Sequence, residues 1–206
     1  MNNHSLEEIN EMYVDVLREI GNIGAGNATT AIASMLSLRI NMLVPKVELL
    51  EVSKLGASLC SEEEIVVGIF LEIQSDIEGS MMFLLKMDSA RYLLNRLMMR
   101  DLDYDEEFDE MDLSAIKEIG NIIAGSYLSA LATMTNLVIT PSIPYIAIDM
   151  AASILSVPAI EFGRYGDHAL LIETEFGDDV MIDGYFILMP EHASYDKILT
   201  ALGFAM

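Results

Sequence analysis

Residues 19–27, Glu19-Ile-Gly-Asn-Ile-Gly-Ala-Gly-Asn27, return as residues 118–126, Glu118-Ile-Gly-Asn-Ile-Ile-Ala-Gly-Ser126, with seven of nine positions identical at an offset of 99. Working outward at the same offset, Asp15 falls on Ser114, Ala31 on Ala130, Met35 on Met134 and Pro45 on Pro144. A period near 100 residues is too long for a solenoid unit and fits duplication inside one fold, its halves related by a pseudo-two-fold axis. Each half then reads as a long helix, a strand after the proline, a pair of longer strands joined by a turn, and a closing helix. The single strands lie near 47–52 and 145–149, and the paired ones at 65–73 with 78–86 and 169–176 with 180–189. The closing helices cover 89–99 and 193–202. The expected fold is α/β, of the α+β kind, with antiparallel hairpins covered by the two long helices.

The chain has 206 residues, and 33 acidic against 11 basic side chains give a net charge of −22. So strong an acid excess leaves no basic patch for nucleic acid or an anionic membrane surface. A hydrophobic fraction of 52% argues against disorder. Charge-free stretches at 20–38 and 119–148 carry Asn, Thr, Ser and Pro and read as buried helices of a soluble protein, with no membrane insertion. The N-terminus lacks the basic region and apolar run of a secretory signal, and the single cysteine, Cys60, allows no internal disulfide, so a cytoplasmic location is expected. One domain over 1–206 is expected, built from half-repeats 1–100 and 113–206. The acidic linker between them, 101–112, has eight acidic residues of twelve. Its Asp101, Asp103, Asp105 and Asp109 have some of the spacing of a calcium loop, but Glu106 stands where that loop needs glycine.

Ser5-Leu-Glu-Glu8 has the spacing of a capping box that would open the first helix. At 100° per residue, with Asp15 at zero, Glu19 falls at about 40°, Asn22 at about 340° and Gly26 at about 20°. Ser114, Glu118, Asn121 and Gly125 repeat that face, and Leu17, Ile20, Gly24 and Ala28 with Ile116, Ile119, Ile123 and Tyr127 form the opposite, core-directed faces. An asparagine is no proton-transfer base near neutral pH, yet its amide both donates and accepts hydrogen bonds and can hold a water in one orientation. Such positioning is valuable in phosphoryl transfer, where little covalent chemistry falls to the protein. The glutamate can pair with a partner's lysine and set the docking register. No phosphate-binding GxxxxGK[ST] loop is present, so phosphate and metal would have to come from a partner. His4, His168 and His192 lack ligand spacing, no metal site is expected, and Cys60 beside Glu62-Glu-Glu64 reads as an inert thiol.

These residues resemble the CheC-type phosphatases of bacterial and archaeal chemotaxis, whose pattern is [DS]-x3-E-x2-N-x22-P. Asp15, Glu19, Asn22 and Pro45 match it completely, and so do Ser114, Glu118, Asn121 and Pro144. The resemblance spans essentially the whole chain. It implies dephosphorylation of the aspartyl-phosphate on the response regulator CheY, with Glu19 or Glu118 contacting the regulator and Asn22 or Asn121 placing the water. No cofactor is expected on this chain, and Mg2+ would sit in the regulator. Two motifs without a rotor-assembly extension put the resemblance in the CheC branch. That branch pairs with the receptor deamidase CheD, and the resemblance puts Asp149 and Met150, with Ile148 and the short helix after them, at that contact. On the residues alone Asp149 equally suits a helix N-cap. Two other readings stay open, a binding module that sequesters phosphorylated CheY or CheD without catalysis, and a calcium-responsive adaptor built on 101–112.

Overall fold

The computed structural model describes residues 6–36, 41–51, 54–55, 59, 61–162, 168–177 and 181–204. His4, Ser5 and Cys60 lie outside them, as does the expected capping box at Ser5.

In chain order the elements are α1 (Leu6–Leu36), β1 (Asn41–Glu51), β2 (Ile65–Ser75), β3 (Gly79–Lys86), α2 (Met87–Leu97), α3 (Glu110–Thr135), β4 (Ile139–Pro141), β5 (Tyr145–Met150), α4 (Ala151–Phe162), β6 (His168–Gly177), β7 (Met181–Pro190) and α5 (His192–Ala201). All pairings are antiparallel, in the order β1-β6-β7-β3-β2, with β5 and the short β4 both pairing with β2. Exchanging β1 with β5, β2 with β6 and β3 with β7 turns this order into itself. The axis of the pseudo-two-fold therefore runs between β3 and β7, whose ladder joins Phe83 to Phe186.

Along β3 the side chains alternate between the two faces of the sheet, as a strand's period of two requires. Met81, Phe83 and Leu85 enter a core that includes Leu17, Ile20 and Ala28 of α1, Ile116, Ile119 and Tyr127 of α3, and residues of α2 and α5. Met82 and Leu84 point the other way, into a second core closed by Ile154 and Leu155 of α4 with Leu55 and Leu59. Residues 20–36 of the first charge-free stretch lie in α1, whereas the second, expected as buried helix, holds the end of α3 and then β4 and most of β5. Among the described residues no helix is long and apolar enough to cross a membrane.

Three details depart from the sequence reading. β1 begins before Pro45 rather than after it, because it is an edge strand and the register shift between Leu43 and Lys46 accommodates a residue with no N–H to donate. β4 was not expected; its three residues pair with the end of β2 through Ile73↔Pro141 and Ser75↔Ile139. Finally, α3 starts at Glu110, inside the acidic run, where Asp109 and Asp112 form a reciprocal capping box.

Candidate functional site

The acid and amide of each motif are fixed at the backbone and free at the tip. In α1, Leu17, Ile20 and Gly21 are buried, while Asp15, Glu19 and Asn22 between and beside them are exposed. In α3, Ile116, Ile119 and Gly120 are buried, Ser114 and Glu118 are exposed, and Asn121 is half-buried. Burial of the neighbouring turns holds each helix in place, so the polar groups project from a rigid support, as a preorganised site needs. Among the described residues, the Glu19, Asn22, Glu118 and Asn121 side chains make no hydrogen bond or ion pair within the chain. Their hydrogen-bonding capacity faces outward, twice.

The two copies differ one turn upstream. Asp15 Oδ1 accepts from Arg18 Nη1 at 2.8 Å, both side chains being well exposed. The second copy has Ser114 and Lys117 at those positions. Arg18 was not singled out in the sequence, although its three-residue spacing from Asp15 is the helical ion-pair signal.

The prolines of the motif hold a different place. Pro144 is buried just before β5, and Pro45 lies within β1. In the first copy a neighbour explains the spacing, since a Cβ built on Gly21 would stand 3.3 Å from Cγ1 of Val44. The strand carrying Pro45 thus supports the turn between Glu19 and Asn22 from behind.

The helix glycines divide into two kinds. A glycine in a helix interior costs about 1 kcal/mol relative to alanine. At Gly24 a Cβ would fall 2.5 Å from Cδ1 of Tyr127, and at Gly120 it would fall 2.4 Å from Cδ1 of Ile69, so both admit close packing. At Gly26 and Gly125, one turn beyond Asn22 and Asn121, a Cβ would meet nothing within 4 Å. Nearby hydroxyls are turned onto their own helices, with Thr30 donating to the Gly26 carbonyl at 3.0 Å and Ser126 to that of Ile122 at 2.8 Å.

Asp149 and Met150 are exposed at the end of β5, beside Ile148. The N-cap reading of Asp149 does not hold. Among the described residues its Oδ1 accepts only from the adjacent Met150 N–H, at 2.7 Å, while the first N–H groups of α4, on Ala151 and Ala152, donate to the carbonyls of Glu64 and Glu62. Asp101, Asp103 and Asp105 are exposed, and among the described residues no group of three or more His, Cys, Asp or Glu side chains is arranged to hold a metal ion. What the two helix faces can do is contact a cationic or amide group through a carboxylate and orient a small polar molecule through an amide three residues on.

Comparison with known proteins bears on these faces. The model of the CheC-like family matches residues 12–49 and 111–146, the two segments that run from before each acid to beyond each proline. Over 201 residues the chain is 36% identical to the CheY-P phosphatase CheC of Bacillus subtilis, covering 95% of this chain and 96% of that protein. The crystal structure of Thermotoga maritima FliY superposes with a TM-score of 0.75 at 21% identity, covering 98% of both chains. The CheX-CheY-BeF3-Mg2+ complex from Borrelia burgdorferi contains a chain of related fold, with a TM-score of 0.52 at 19% identity over 82% of this chain and 96% of that one.

Proposed function

Since the chain belongs to the CheC-like family, we propose that it hydrolyses the aspartyl-phosphate of a phosphorylated CheY-class response regulator, with one acid–amide pair on each long helix. The observation that carries this reading is the duplicated pair itself, held rigidly by buried neighbours and with no partner inside the described chain. The relative that is 36% identical is named a CheY-P phosphatase, which supports it.

Glu19 or Glu118 contacts the regulator and fixes the docking register. The carbonyl of Asn22 or Asn121 accepts a hydrogen bond from a water, turning a lone pair of that water towards phosphorus. Attack in line forms the new P–O bond as the bond to the regulator's aspartate breaks; the carboxylate leaves as the anion and inorganic phosphate is released. Mg2+, which we assign to the regulator, would neutralise charge on the phosphoryl oxygens. Asp15 and Ser114 support the pairs from one turn upstream.

Asp149 and Met150 are assigned to a second partner, a CheD-type receptor deamidase. Their exposure, and the recruitment of Glu62 and Glu64 rather than Asp149 to satisfy α4, support that assignment. Cytoplasmic location accords with both partners.

Replacing Asn22 and Asn121 together by alanine separates catalysis from binding. Turnover should fall about a hundred-fold or more while affinity for the phosphorylated regulator changes little. Unchanged acceleration would refute the role of the amides, and tight binding without any acceleration by the parent protein would make it a sequestering module.

A further inference from the structure

Gly26 and Gly125 are the two helix glycines whose presence the chain itself does not explain. Neither lies in the left-handed region that favours glycine, so no backbone strain demands them. Neither admits a neighbouring side chain, in contrast to Gly21, Gly24 and Gly120. Both weaken their helices, and the sequence carries this defect twice at the same place, four residues after the amide. A side chain at these positions would lean towards the N-terminal turn and cover the surface beside Asn22 or Asn121, because Cα–Cβ bonds in a helix tilt that way. Ile23, the residue after the first amide, adds a 37% exposed apolar side chain to the same region.

We propose that Gly26 and Gly125 are clearance positions, kept free of a side chain so that the backbone of the phosphorylated regulator lies directly on the helix one turn from the amide. They are positioning residues and touch no reacting atom. A single methyl would hold the regulator off by about an ångström, enough to displace the phosphoryl group from the water that the amide presents. The proposal rests on the phosphatase reading above, and it adds which part of the partner faces this turn: main chain and not a bulky side chain.

The test compares the full-length parent with Gly26→Ala/Gly125→Ala and with Asn22→Ala/Asn121→Ala. Three quantities are read: melting temperature, decay of a phosphorylated CheY-class regulator, and affinity for that regulator loaded with Mg2+ and beryllium fluoride. The glycine variant should melt at or above the parent's temperature, since nothing opposes the methyl and the helix gains propensity. Its affinity should fall about ten-fold or more, and turnover at saturating regulator should fall with it, because the bound phosphoryl group no longer meets the water. The asparagine variant should retain affinity and lose turnover. A glycine variant that binds and accelerates within about two-fold of the parent overturns the proposal; so does one that melts lower, which would assign these glycines to the fold. Should the asparagine variant lose turnover while the glycine variant matches the parent, the phosphatase reading survives and only the clearance assignment falls. If the parent does not accelerate decay, the phosphatase reading fails and the clearance assignment fails with it.

Discussion

Gly24 and Tyr127 answer each other across the contact between α1 and α3, and both stand at positions where the two copies of the repeat differ. The second copy has Ile123 where the first has Gly24, and the first has Ala28 where the second has Tyr127. The ring of Tyr127 fills the space that the missing side chain leaves and stacks on Phe186 at 4.5 Å. Exact symmetry would put two large side chains, or two small ones, into the same gap. Gly24→Ala should therefore cost about 1–3 kcal/mol in a urea titration, because the Cβ would also stand 3.0 Å from the Tyr127 Cα and neither helix can retreat without disturbing the core. Tyr127 has its hydroxyl buried with no partner among the described residues, and burial raises its pKa above the ordinary tyrosine value. Tyr127→Phe should leave stability unchanged or raise it by up to about 1 kcal/mol, since the removed group had no hydrogen bond to lose. Periodicity alone puts Gly24 and Tyr127 on the buried faces of their helices. That one fills the other's space is a contact over 103 residues of sequence (127 − 24), and no local pattern records it.

At the scale of elements, the acidic run between the halves ends as the start of a helix, with residues 110–112 inside α3 and 101–109 before it. Asp112 is buried, closes the capping box of α3, and pairs with Arg100 at 2.8 Å. The guanidinium lies 4.9 Å from the centre of the Tyr104 ring, and its hydrogen bond to Asp112 raises the Arg100 pKa. Asp112→Ala should thus lower stability by about 2 kcal/mol or more, combining a lost cap with an abandoned cation. Asp103→Ala, at an exposed position in the same run, should shift it by less than about 0.5 kcal/mol. Millimolar calcium should leave the melting temperature unchanged. Composition marks this segment as acidic and therefore as solvated, and that average hides the one carboxylate that is not. The long helices and the closing helices were legible from their apolar and polar faces, and the two hairpins from apolar runs joined by turn residues. The beginning of β1 and all of β4 were not, since a proline ordinarily ends a strand and three residues carry no period.

At the scale of the whole molecule, the two halves are interleaved rather than adjacent. β1 finds its partner in β6 of the other half, β5 finds its partner in β2, and β3 joins β7. Residues 1–100 alone would leave β1 without a neighbour and both edges of the β2–β3 hairpin unpaired. That fragment should show no cooperative unfolding transition by circular dichroism, whereas the full chain should unfold in one. Duplication was readable from the repeated segment, and so were the residues of both candidate sites, because the motif is local and lies on helices. The interleaving was not, since which strands pair is decided between distant segments. One consequence for function is that both acid–amide pairs depend on one fold, so damage to either half should cost both.

The central claim is that two helix-borne acid–amide pairs accelerate hydrolysis of a regulator's aspartyl-phosphate. The most direct measurement is the decay of a phosphorylated CheY-class regulator with the parent protein, with Glu19→Ala/Asn22→Ala, with Glu118→Ala/Asn121→Ala, and with all four changes together. The account predicts acceleration by the parent, partial loss in at least one double variant, and decay at the unassisted rate in a folded fourfold variant. A folded fourfold variant that still accelerated decay would contradict it.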